Sequence, residues 1–92
     1  MVKSIRHKGL RKLFETGSPS GVKQNDSKRL RIILTFLNEA HMLDDINFPG
    51  SDLHALKGEK KNYWSLKVSG NWRVIFRFDN GNAYDVDYLD YH

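Results

Sequence analysis

Apolar residues recur at helical spacing through the first half of the chain and alternate through its last third. Residues 7–16 place Leu10, Leu13 and Phe14 at i, i+3 and i+4, and Gly17 follows as a stop, so the spacing predicts a short helix. A second helix is predicted from an N-cap at Asn25, Asp26 or Ser27, with Leu30, Ile33, Leu34, Leu37 and Ala40 as its buried stripe. Ile32 and Phe36 are expected to widen that stripe, and the helix should end near His41, before Asp44-Asp45. Ser-Pro-Ser-Gly at 18–21 and Pro49-Gly50 read as loops, and residues 1–6 as an edge strand.

From Tyr63 onward the period becomes two. Trp64, Leu66 and Val68 alternate with polar neighbours, Gly70-Asn71 reverses the chain, and Trp72, Val74, Phe76 and Phe78 alternate in turn. Asn80-Gly81 is a strong hairpin signal because both residues tolerate positive φ. A third run, 84–91, completes a three-stranded antiparallel meander. The pattern predicts an α+β domain with two N-terminal helices packed on one face of a small antiparallel sheet. Trp72, Val74, Phe76 and Phe78 should lie under the helices. Arg73 and Arg77, with Lys67 across from them, should then share the opposite face, left open to a ligand.

At 92 residues the chain is read as one domain, 1–92. It has no cysteine, hence no disulfide and no thiolate metal site, which suits a reducing compartment. No apolar run reaches membrane-spanning length and no signal segment opens the chain, so a soluble cytoplasmic protein is expected. The net charge is +4, and it is blocked. Residues 1–31 carry nine Lys/Arg against two acids, and residues 57–77 six against one; the stretches 32–56 and 78–92 each hold four acids and no Lys or Arg. Two basic blocks of this kind form either a solvated face or a surface for a polyanion.

The C-terminal run Asp90-Tyr91-His92 brings an acid, a phenol and an imidazole to the end of a strand beside those cations. Cutting RNA without a metal requires a base for the ribose 2′-OH, a cation for charge gathering on the phosphate, and an acid for the leaving 5′-oxygen. Imidazole suits either proton role because its pKa of ~6.5 lies near working pH. His92 and His54 offer proton transfer, and Arg73 and Lys57 offer charge stabilisation. Tyr91 offers a ring or hydroxyl, Asp90 an orienting carboxylate, and Asn71 a contact to phosphate or base. The bland reading makes Arg73 a surface arginine paired with Asp87, and His54 and Lys57 structural or solvated groups. No His-x-x-x-His pair or grouped ligand set points to a metal, and no cofactor is expected.

Val2-Lys3-Ser4, His7-Lys8-Gly9-Leu10, Leu53-His54-Ala55-Leu56-Lys57-Gly58, Tyr63-Trp64-Ser65, Asn71-Trp72-Arg73 and the terminal Asp90-Tyr91-His92 together resemble HigB toxins of the RelE/ParE superfamily. The likeness runs essentially end to end. It implies a RelE/ParE-like fold and a ribosome-dependent endonuclease that cuts mRNA in the A site of the small subunit by metal-free 2′-OH attack. It implies a HigA-type helix-turn-helix antitoxin as partner, through which the complex would bind operator DNA. The implied active-site set is His54, Lys57, Asn71, Arg73, Asp90, Tyr91 and His92. Where some relatives carry a further arginine before the Asn-Trp-Arg turn, this chain has Lys67-Val68-Ser69, leaving Lys67 or Arg77 to supply the charge. The basic face of Lys8, Arg11, Lys12, Lys28 and Arg31 is expected to dock on RNA. Two other readings stand beside this one. One is a ParE-type gyrase inhibitor; the other is a non-catalytic RNA-binding module using Trp64, Tyr84, Tyr88 and Tyr91 as stacking platforms.

Overall fold

A computed structural model describes residues 1–91. Helix α1 spans Lys8–Thr16. His7 sits at its N-cap with Nδ1 accepting the Leu10 N–H at 3.0 Å, and Gly17 closes it at φ 80°, where a side chain would be strained. Helix α2 spans Ser27–Glu39 and follows a 3₁₀ turn, Gln24–Asp26. Asp26 holds the cap position, but its carboxylate caps nothing. It turns inward and accepts from Ser69 Oγ at 2.6 Å and Tyr88 Oη at 2.5 Å. A carboxylate only 2% exposed needs such donors, because burying an unpaired charge is costly. Burial, with the neighbouring Asp26 carboxylate, pushes the Tyr88 phenol well above its ordinary pKa, so it stays a donor. No helix among the described residues is long and apolar enough to cross a membrane.

Four strands form one antiparallel sheet: β1 (His54–Ala55), β2 (Trp64–Ser69), β3 (Trp72–Asp79) and β4 (Asn82–Asp90), in that spatial order. The meander expected from the alternation is present, and β1 adds a two-residue strand that no periodicity announced. Residues 1–6 do run along the sheet edge, but parallel to β4 and through two bridges only, Val2 to Ala83 and Ile5 to Val86. The Asn80-Gly81 turn has φ 49° and 78°, both positive as the hairpin requires.

Two bulges adjust the faces. Register slips between Lys67 and Ser69 on β2, and opposite Ile75–Arg77 on β4. The second places Asp85 at φ 53° and resets the alternation, so that Ala83, Val86 and Tyr88 are all buried. Asp85 is then aimed at Arg77 Nε, 3.0 Å away.

Leu10 and Leu13 of α1, Leu30, Ile33, Leu34 and Leu37 of α2, and Leu66, Val74, Phe76, Ala83, Val86 and Tyr88 of the sheet form one buried cluster. Fully burying such a side chain contributes about 1.5–3 kcal/mol. Ile32 and Phe36 do not widen the buried stripe as expected: they are 41% and 37% exposed. A stripe centred on Leu30, Leu34 and Leu37 leaves them at its outer margin. Nor is the second face of the sheet bare. Ser65 and Ile75, cross-strand partners there, are 0% and 1% exposed, and neither belongs to the main cluster. Residues 51–56 return beside them, with the Ser51 carbonyl accepting the Lys67 N–H at 2.8 Å. Arg29 of α2 secures this segment by donating to the Gly50 carbonyl at 2.6 Å and the Lys67 carbonyl at 3.1 Å.

Candidate functional site

Arg73 is the centre of the best-defined polar cluster on that second face. Its guanidinium is drawn across the sheet: Nη1 donates to Ser65 Oγ at 3.0 Å and Nη2 to Asp52 Oδ2 at 2.7 Å. The side chain is only 16% exposed, so it is neither the free surface arginine nor the Asp87 partner of the bland reading. Asp87 lies across from Ile75 and accepts the Tyr88 N–H instead. Fixing a guanidinium with one neutral and one charged acceptor removes rotamer freedom before any substrate arrives.

His54 reaches the same face through β1. It pairs in register with Ser65, the residue that Arg73 grips, so imidazole and guanidinium are neighbours although nineteen positions apart in the chain. His54 Nδ1 lies 3.1 Å from the Asp52 carbonyl oxygen and 4.0 Å from Asp52 Oδ1. The Arg73 hydrogen bond, offset in part by desolvation, holds the Asp52 carboxyl below its ordinary pKa, and the His54 charge adds to this. Lys67 pairs with Arg73 across β2 and β3, so its exposed side chain shares the face. Lys57 is exposed three residues beyond His54, with no side-chain hydrogen bond or ion pair among the described residues.

The C-terminal strand flanks the cluster. Trp72 pairs with Asp90 and Arg73 with Leu89, and the Tyr91 N–H donates to the Asn71 carbonyl at 2.8 Å. The turn bearing Asn71 and the end of the chain are therefore tied together. Strand alternation puts Asp90 on the side of Trp72, away from Arg73. His92, expected in the site, lies outside the described residues.

Arg77 does not join the cluster. It stands four residues along β3, a rise of about 13 Å, where it binds Asp85 and lies over the Tyr84 ring at 5.2 Å. It borders an open cleft of about 540 Å³ lined also by Ala55, Asn62, Tyr63, Trp64, Phe78 and Asp79; Arg73 and His54 are not part of it. Lys8, Arg11 and Lys12 are exposed on α1 and Lys28 on α2, whereas Arg31 donates to the Gly17 carbonyl at 2.9 Å. The aromatic platforms fare poorly: Tyr88 is buried and Trp64 is packed against the core. Asp52 and Ser65 were missed by sequence reasoning. The signals for Ser65 were its place on the polar side of β2 and in the Tyr63-Trp64-Ser65 motif, and for Asp52 there was none.

The site can present fixed positive charge to an anion and offer an imidazole beside it. Residues 3–92 match the model of HigB-like toxins, described as RelE-like toxins of the type II toxin–antitoxin system HigB. Across all 92 residues, and the whole length of both chains, the sequence is 45% identical to a protein of Proteus vulgaris named endoribonuclease HigB. A conserved hypothetical protein of Helicobacter pylori, solved in solution, aligns over 96% of this chain and 94% of its own at 22% identity, with a TM-score of 0.45. On the full-length family match and the 45% identity, this chain belongs to the HigB-like toxins, RelE-like members of type II toxin–antitoxin systems.

Proposed function

We propose that the protein is a ribosome-dependent endoribonuclease that cuts mRNA in the A site of the small subunit. The observation that carries the reading is the meeting of His54 with an Arg73 guanidinium already fixed by Ser65. The name and 45% identity of the Proteus vulgaris relative support it. In this reading both helices cover one face of the sheet, and the opposite face meets RNA.

The ribose 2′-OH gives its proton to a base as its oxygen bonds to phosphorus. The bond from phosphorus to the 5′-oxygen then breaks, and that oxygen takes a proton from an acid. A 2′,3′-cyclic phosphate and a 5′-hydroxyl result. His54 and His92 are the proton-transfer groups. Arg73 and Lys57 hold the charge that gathers on the phosphate, and Tyr91 stacks on or hydrogen-bonds the substrate; Asp90, on the Trp72 side of the strand, acts by orienting an imidazole and not Arg73. Asn71, Lys67 and Arg77 contact the RNA strand, and Lys8, Arg11 and Lys12 contact ribosomal RNA. The protein supplies all the positive charge, so no metal is required. His54 is exposed and Arg73 is partly covered at the sheet surface, so the ribosome contributes the positioning that a deep pocket would otherwise supply; well-oriented reactants are worth several kcal/mol. In the cytoplasm a HigA-type antitoxin restrains the toxin, and the complex binds operator DNA through that antitoxin.

The test is cleavage of mRNA on translating ribosomes by wild type, Arg73→Ala and His54→Ala. Losing one preorganised charge donor costs roughly 10²–10³-fold in rate, so Arg73→Ala should lose that much with an unchanged circular dichroism spectrum. Wild-type cleavage by Arg73→Ala sinks the reading, and toxicity without RNA cleavage turns it toward gyrase.

A further inference from the structure

Asp52 holds a position that the reaction as drawn does not use. Its carboxylate oxygen is 2.7 Å from Arg73 Nη2, and its backbone is set at φ 50°, in the left-handed region. The chain is pinned on both sides of it: Ser51 is fully buried with its carbonyl on the Lys67 N–H, and His54 is paired into β1. The carboxylate is thus delivered to the guanidinium by a constrained segment. The Arg73 hydrogen bond holds its carboxyl below the ordinary carboxylate pKa.

Ser65 and Asp52 act differently on Arg73. A hydroxyl oxygen orients the guanidinium and leaves its charge intact, whereas a carboxylate orients it and cancels that charge. A guanidinium grips phosphate with two parallel N–H donors. It has two such edges, Nε with Nη2 and Nη1 with Nη2, and Nη2 belongs to both. Nη2 has one hydrogen on each edge and Asp52 accepts one of them, so a phosphodiester gripping either edge either competes with the carboxylate for that hydrogen or shares Nη2 with it.

We infer that Asp52 is a resident counter-anion with which the scissile phosphate must compete at Arg73, so that this residue sets how tightly the site takes RNA. This rests on the reading of Arg73 as the phosphate-binding cation. It explains a preference for a phosphodiester held in place by other contacts over a freely diffusing one, since only the former is presented long enough to exchange with a carboxylate tethered 2.7 Å away.

The experiment measures binding to ribosomes programmed with an mRNA whose A-site codon is 2′-deoxy throughout, so that no cleavage intervenes. Wild type, Asp52→Asn, Arg73→Ala and the double variant are compared, with circular dichroism on each. Asp52→Ser is the second substitution if the amide disturbs the loop. Asp52→Asn should tighten binding roughly two- to fivefold, the scale of an exposed ion pair. The gain should vanish in the Arg73→Ala background. Unchanged or weaker binding by Asp52→Asn overturns the inference, because the carboxylate would then be holding Arg73 in place for RNA. A gain that survives Arg73→Ala overturns it too, since any nearby negative charge would do the same. Failure of the underlying reading shows separately, as undiminished cleavage of ordinary mRNA by Arg73→Ala.

Discussion

Gly9 occupies the first turn of α1, where helix propensity alone favours alanine by about 1 kcal/mol. The structure reverses that sign. A Cβ built on Gly9 would lie 2.0 Å from the Gly21 carbonyl oxygen and 2.7 Å from the Gly21 Cα, and one built on Gly21 would lie 2.4 Å from the Gly9 Cα. Both obstacles are backbone, so no side chain can swing aside. Reaching an ordinary contact at 3.4 Å needs a displacement of about 1.4 Å. That shift moves α1 relative to the loop before α2 and loosens Leu10 and Leu13, which are 0% and 3% exposed. Overpacking a fitted interior costs typically ~1–3 kcal/mol, and rigid neighbours place this site at or above the upper end. After the propensity gain, Gly9→Ala should destabilise by about 2–4 kcal/mol, a fall in Tm of roughly 10 °C or more. Urea unfolding followed by fluorescence of Trp64 and Trp72, both packed against the core, reads this directly. A midpoint equal to or above wild type would refute the close approach of the two glycines.

Tyr88→Phe leaves the buried Asp26 carboxylate with Ser69 as its remaining hydroxyl donor; it should cost about 1.5–3 kcal/mol by thermal unfolding, and an unchanged Tm would mean that the contact contributes nothing. The pH dependence follows from Asp85. Its pKa is held below the ordinary 3.8, chiefly by Arg77, so the pair's stabilisation is present above that value and is lost as pH falls through the lower, folded-state one. Tm should therefore drop more steeply as pH falls below 3.8 in wild type than in Arg77→Met; parallel curves there would show that the ion pair does not couple to folding.

Local pattern carried much of the fold. The stripe from Leu30 to Leu37, the Gly17 stop and the Asn80-Gly81 turn each depend on residues a few positions apart, and each was legible. What failed depends on distance or on a broken period. A two-residue strand such as β1 has no period to detect. The bulge at Asp85 shifts Ala83 onto the side of Val86 and Tyr88, which strict alternation forbids. Ile75 looked like one apolar residue among arginines and is instead buried against the returning segment's side of the sheet. The site divides the same way. Arg73, His54 and Asn71 were nominated by residue type and neighbouring motif, and the structure brings Arg73 and His54 to one face. Asp52 was not, because its importance comes from an ion pair across twenty-one positions and a backbone angle that sequence does not display.

The opening segment lies parallel to β4, with the N-terminal ammonium 3.0 Å from the Gly81 carbonyl and the Arg6 N–H on the Val86 carbonyl at 2.7 Å. Residues 1–6 therefore find their partners about eighty positions further along the chain. During synthesis they must wait, unpaired, until β4 has cleared the exit tunnel. Such long-range closure slows folding. A product lacking β4 would forfeit both the edge and its neighbour at one stroke.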